Sequence, residues 1–159
     1  DGETPSRQAM RLARSKAEAI AARFPDACVI GSDQVASCDG RRYGKPGTRR
    51  AACEQLVELS GRTVVFDTAL CVIDARTGRR HEANVPTEVV FRALSAAEIE
   101  RYVELDDPVD CAGAAKVESR GSAVGEKLAG DDPTALVGLP LIALCRMLRA
   151  EGVDLMASR

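Results

Sequence analysis

The stretch Val29-Ile30-Gly31-Ser32-Asp33-Gln34-Val35 places a carboxylate where an apolar run stops, and Gly44-Lys45-Pro46, ten residues after Gln34, supplies an ammonium. Cys28 to Ile30 read as a buried strand. Gly31 and Ser32 carry so little side chain that a ligand could approach the backbone, with Asp33 at the rim of the strand. Asp39-Gly40 is a tight-hairpin dipeptide, and the fold-back it predicts returns Lys45 towards Asp33. Such a pair could hold a metal-bound phosphate, the acid taking the cation and the lysine a phosphate oxygen. An Asp that ends a strand also serves as a turn or cap residue, and a Lys before Pro as a solvated charge, so the hairpin alone leaves both readings open.

Elements that could position these groups follow from periodicity and capping signals. Thr4-Pro5 reads as N-cap and first helical position, and Ala9, Leu12, Ala13, Ala17, Ile20 and Ala21 recur at helical spacing up to Phe24-Pro25. Lys16 lies on this helix among Arg11, Arg14 and Glu18, on a face that reads as solvated unless its end is placed in a cleft. Thr48 caps a second helix with Ala52, Leu56, Val57 and Leu59 on its inner side, ending at Ser60-Gly61. Thr63 to Asp74 and Glu82 to Arg92, rich in Val, Ile, Thr and Phe, predict a long antiparallel hairpin, either an exposed ribbon or a sheet spine. Ser95-Ala96-Ala97-Glu98 is a capping box that opens a helix stopped by Asp106-Asp107-Pro108. Cys111 to Ala115 is a run of small residues that permits close backbone approach, with Glu118 in the following Lys116 to Arg120 segment. Ala123 to Leu128 predicts a strand, Asp131 and Asp132 a turn and cap, and Leu141 to Leu148 a last apolar helix. His81 has no Cys or His at ligand spacing and reads as a surface residue.

Composition sets bounds. With 159 residues and 45% hydrophobic content the chain can bury one sizeable core, which predicts a single domain. A net charge of −2 gives no broad positive field for a nucleic-acid duplex, and 3% aromatics without Trp argue against a stacking platform. The six cysteines lie far apart without a C-x-x-C pair and read as small core residues, which suits a reducing cytosol. No signal peptide and no bilayer-length apolar run is present, so a soluble protein is expected. The sequence opens at Asp1, and upstream residues are expected to have been removed or to lie outside it.

Taken together, Leu12-Ala13 with Lys16-Ala17, Gly31-Ser32-Asp33-Gln34-Val35, Gly44-Lys45-Pro46, Leu59-Ser60-Gly61, Leu94-Ser95 with Glu98-Ile99 and Tyr102, Cys111-Ala112-Gly113, and Val137-Gly138-Leu139-Pro140 carry a resemblance. In order and spacing, over nearly the whole chain, they resemble the Maf family of nucleotide pyrophosphatases, also called septum-formation-inhibitor-like proteins. The Ser-Asp-Gln form of the central motif, with Glu118 later, is similar to the subgroup that hydrolyses 7-methyl-GTP. The thymidine and uridine triphosphate subgroup carries Thr and Gln at those places.

The resemblance implies an α/β fold of the inosine-triphosphatase-like (Maf) type, a long twisted mixed β-sheet flanked by helices, in a cytoplasmic homodimer. It implies cleavage between the α and β phosphates of a nucleoside triphosphate with a divalent cation, Mg or Mn. By position, Asp33 matches the proton acceptor and would adjoin the metal, Lys16 and Lys45 match lysines near the phosphates, and Gln34 and Glu118 match positions tied to substrate choice. Guanine offers N1–H and N2–H2 as a paired donor edge that suits the Glu118 carboxylate. The family also has a leading strand and an S-x-S-x-R-R phosphate loop followed by an Asp-Glu pair, and none of these lies within residues 1–159. A single Maf-like domain over 1–159 without that strand and loop is expected to be weakly stable and poorly active. The rival expectation is a catalytically silent nucleotide-binding or cell-division regulatory protein.

Overall fold

The computed structural model describes residues 2–157. The elements run α1 (Pro5–Ala21), β1 (Cys28–Cys38), β2 (Arg41–Tyr43), α2 (Arg49–Leu59), β3 (Thr63–Asp74), β4 (Arg79–Phe91), α3 (Ala96–Asp106), β5 (Gly125–Gly130) and α4 (Leu141–Ala150). Short 3₁₀ turns occupy Pro108–Asp110, Ala112–Ala114, Arg120–Ala123 and Ala135–Val137. The strands form one sheet in the order β2-β1-β3-β4-β5. The α/β class is as the sequence implied. The sheet is antiparallel among the described residues, where the resemblance implied a mixed one: β2 pairs antiparallel with β1 and β5 with β4, and β3 and β4 form the expected hairpin.

Contacts divide the chain into two compact units. The first comprises Asp1–Gln34, Thr68–Val85 and Asp131–Arg159. Helix α1 starts on the Thr4 cap and buries Ala9, Ala13 and Ala17 completely, one residue per turn along a single stripe. That alanine stripe lies against Gly31 of β1, and Arg14 fixes the helix by a bidentate pair with Glu82, at 2.6 and 2.9 Å. On the opposite face of β3, Leu70 and Val72 pack against Ala143, Leu144 and Met147 of α4. Each large apolar side chain buried there contributes about 1.5–3 kcal/mol. Asp132, 3% exposed, caps this corner as its sequence position suggested, accepting from the Thr134 N–H and hydroxyl and from the Ile142 N–H.

The second unit comprises Val35–Asp67 and Pro86–Gly130. Asp39 and Gly40, with φ of 47° and 81°, make the two-residue turn between β1 and β2. Helix α2 begins at the Thr48 cap and packs on α3, which carries the predicted capping box with both hydrogen bonds formed. Phe66, Phe91, Leu56, Leu59, Val64, Ile99 and Val103 are buried. The small-residue run serves this packing: Gly113, at φ 65°, lets the backbone settle against the Phe66 ring and the Ala36 methyl.

Candidate active site

Asp33 lies in the middle of an eleven-residue strand, not at the rim where a strand stops. The two residues read as clearing space for a ligand have structural tasks instead. Gly31 is bare because the backbone of α1 crosses it, and a Cβ there would collide with Ala17 N at 2.7 Å. The Ser32 hydroxyl sits 2.8 Å from the Ala69 carbonyl and 2.7 Å from the Gly138 carbonyl, and with a single proton to donate it is shared between them. Extended backbone therefore continues through both residues.

Strand alternation sends Gly31 and Asp33 to one face of β1 and Ser32 and Gln34 to the other. On the α1 face, the Lys16 ammonium donates to Asp33 Oδ1 at 2.6 Å and to the Ser32 carbonyl at 3.0 Å. The lysine reaches past the alanine stripe, so its end is placed and the solvated-face reading is superseded. Its side chain stays 58% exposed while that of Asp33 is 18% exposed, which leaves the pair open to an incoming anion. The structure thus brings Lys16 and Asp33 together as an acid–ammonium pair.

Gln34 is occupied on the other face. Its Nε2 donates within the set of Thr68 Oγ1 at 2.9 Å, the Leu136 carbonyl at 3.1 Å and the Ala135 carbonyl at 3.2 Å. Two carbonyl acceptors fix the orientation of the amide, since its own oxygen could not face them.

In the second unit, Lys45 is exposed in the segment after β2, between two anchors: Gln55 Nε2 donates to the Gly44 carbonyl and the Gly47 N–H to the Val109 carbonyl. The β1–β2 ladder ends at the pair Ala36–Tyr43, so Lys45 is outside the hairpin expected to carry it. Glu118 is exposed on a turn gripped by α3, where the Tyr102 hydroxyl accepts from the Lys116 N–H at 2.9 Å and Asp106 accepts from the Ser119 hydroxyl at 2.6 Å and the Arg120 N–H at 3.0 Å. Burial pushes the Tyr102 phenol up to about 12, so it stays a neutral hydroxyl. Gly121 closes the turn, because a Cβ there would meet the Lys116 backbone at 2.6 Å.

Lys45 and Glu118 both act on the Cys111 thiol. Burial raises its pKa first and Glu118 adds to the rise, while Lys116 and Lys45 oppose it. Lys116 was not singled out from sequence, although its place two residues before Glu118 was a usable signal.

Among the described residues no group of three or more His, Cys, Asp or Glu side chains could hold a metal ion. Asp33 has Oδ1 engaged by Lys16. That donor set suits a hard cation which keeps its water and phosphate ligands and borrows a single protein oxygen. Among the described residues no helix is long and apolar enough to cross a membrane.

An α/β protein with an acid–ammonium pair on an inner strand of its sheet is the class this geometry defines. The chain belongs to the Maf-like family: residues 1–151 match the family described as Maf-like protein. It is 59% identical over 151 residues to a protein of Aromatoleum aromaticum named 7-methyl-GTP pyrophosphatase, covering 95% of this chain and 78% of the relative. Proteins of the same name from Cupriavidus pinatubonensis and Albidiferax ferrireducens are 52% and 48% identical over 157 residues, each alignment covering 99% of this chain and 79% of the relative.

Proposed function

We propose that this protein is a nucleoside triphosphate pyrophosphatase that hydrolyses 7-methyl-GTP, or a closely related modified nucleotide, to the monophosphate and pyrophosphate. The observation that carries this reading is the Lys16 ammonium held 2.6 Å from Asp33 Oδ1 and still largely open to solvent. It meets the two needs of the reaction: a carboxylate to take a proton from water, and a cation within reach of a phosphate oxygen. The names of the relatives supply the nucleotide.

In this reading Asp33 is the proton acceptor, and Lys16 and Lys45 neutralise phosphate charge. Glu118 accepts from the donor edge of guanine, whose methylation at N7 adds positive charge that favours a carboxylate partner. A divalent cation, Mg or Mn, would be held by Asp33 together with the polyphosphate and water, and would supply charge neutralisation on the phosphates. A cytoplasmic homodimer completes the reading, supported by the family resemblance.

The test is pyrophosphate release from 7-methyl-GTP, GTP, UTP and dTTP with magnesium or manganese, run beside Asp33→Asn. The expected result is release with 7-methyl-GTP preferred and near-complete loss in the variant. Equal release by the variant would remove Asp33 as the base, and no release from any nucleotide by the wild type would overturn the reading.

A further inference from the structure

The underside of α1 is the buried stripe Ala9, Ala13 and Ala17. Methyl groups form only low ridges, so they set how close the helix lies to the sheet but not how it is rolled about its axis. At about 3.6 residues per turn, Arg14 and Glu18 leave the helix on one flank of that stripe and Lys16 on the other. The Lys16 flank reaches β1 through Asp33 and the Ser32 carbonyl. The opposite flank is tied to β4. There Arg14 Nε and Nη2 donate to the two oxygens of Glu82 at 2.6 and 2.9 Å, and Arg80 Nη1 donates to Glu18 Oε1 at 3.3 Å. Arg80 Nε also lies 3.2 Å from Glu82 Oε1, so Arg14, Glu82, Arg80 and Glu18 form one chain of alternating charge.

Helix and strand match in pitch along this flank. Four residues of helix rise about 6 Å and two residues of strand about 6.6 Å, so residues 14 and 18 can meet residues 82 and 80 in turn. Ala83 packs towards Leu70, Val72 and α4, and alternation therefore turns Glu82 and Arg80 to the α1 face. We infer that Glu82 is a positioning residue: with Arg14 it clamps the β4 flank of α1, fixes the roll of the helix over its alanine stripe, and so holds the Lys16 ammonium against Asp33. This rests on the pyrophosphatase reading. Without the Glu82 carboxylate, Arg14 and Arg80 repel each other, the helix rolls, and the lysine leaves its partner. Misplacement of a reacting group by about 1 Å costs on the order of a hundredfold in rate, of which a flexible lysine side chain recovers part.

The experiment is a double-mutant cycle on pyrophosphate release from 7-methyl-GTP. It joins Glu82→Gln, with Arg14→Met as a second route to the same clamp, to Lys16→Met. Either clamp variant alone lowers kcat/KM about tenfold. Added to Lys16→Met, either one lowers it by less than about twofold more, because the group it positions is already gone. A role confined to stability gives the same loss in both backgrounds, and urea unfolding of each variant supplies the folded fraction to which the rates are referred. Acetylation of Lys16 by acetic anhydride, followed by mass spectrometry, reads the contact with Asp33 without turnover. Its rate is expected to rise about fivefold in Glu82→Gln, the scale of one lost hydrogen bond.

Equal losses in the two backgrounds, or wild-type kcat/KM in both clamp variants, overturn the inference while leaving the enzyme reading intact. A wild type without turnover overturns the enzyme reading, and the acetylation rate then decides separately whether Glu82 holds the lysine. A rate unchanged in Glu82→Gln overturns the clamp in either case.

Discussion

Gly31 passes so close to Ala13 that a Cβ added to the glycine would stand 2.3 Å from the Ala13 carbonyl oxygen. The neighbouring obstacle is backbone of α1, which cannot rotate away as a side-chain tip would. Gly31→Ala must therefore push the helix off the strand. A cost of about 1–3 kcal/mol is expected, the usual range for overpacking a tight core, and urea unfolding would measure it. Because Lys16 rides on the displaced helix, the variant should also lose turnover beyond what partial unfolding explains. Unchanged stability would mean that the contact can relax.

Lys16 can be removed with much less structural damage. Its pair with Asp33 is more than half open to water on the lysine side, where ion pairs contribute about 0–1 kcal/mol, so Lys16→Met should unfold close to the wild-type midpoint. Its effect should appear in kcat/KM for pyrophosphate release. A lost hydrogen bond to a charged group is worth about 1.5–3 kcal/mol, which corresponds to roughly a tenfold to hundredfold fall. A kcat/KM equal to wild type would leave Lys16 as a surface residue.

Stability at low pH should depend on Glu98. Its carboxyl is held down to about 2, first by the Ser95 backbone N–H, then by the Ser95 hydroxyl and the Arg92 guanidinium, against an ordinary value of 4.5. A folded-state pKa below the unfolded one means that the proton binds more readily to the unfolded chain. The stabilisation is complete above pH 4.5 and is lost as pH falls towards 2. Glu82, lowered chiefly by Arg14, titrates in the same sense. Glu98→Gln keeps an acceptor for Ser95 but removes the titration, so unfolding free energy plotted against pH should be flatter in that window than for wild type. Parallel curves would show that the cap does not titrate.

Local rules made most of the elements legible, because each start signal and apolar period was satisfied by neighbours in sequence. The Thr4, Thr48 and Ser95 caps all form, and β3 proves to be a buried spine in place of an exposed ribbon. Gly31-Ser32 was misjudged because two small residues look alike whether they clear space for a ligand or for a helix; only the crossing of α1 decides. The engagement of Gln34 with residues 135 and 136 was hidden for the same reason, since its acceptors are backbone carbonyls about a hundred residues away and carry no sequence signal. Division into two compact units was equally invisible, because the boundary falls within β1, β3 and β4, whose periodicity runs on unbroken.

Glu118 offers the sharpest separation of substrate choice from rate. It is exposed on a turn whose backbone is fastened by Tyr102 and Asp106, so replacing its side chain leaves those anchors untouched. Glu118→Gln removes the charge and turns one acceptor into a donor, which would face the guanine N1–H and N2–H2 with the wrong polarity. Preference for 7-methyl-GTP over UTP should fall by about tenfold or more, the scale of one charged hydrogen bond, while the best kcat changes much less. Kinetics on the two nucleotides at matched metal concentration would measure both. Loss of kcat on both without a change in their ratio would move Glu118 from base recognition to the chemistry of the phosphates, and would leave the base to be read by other groups.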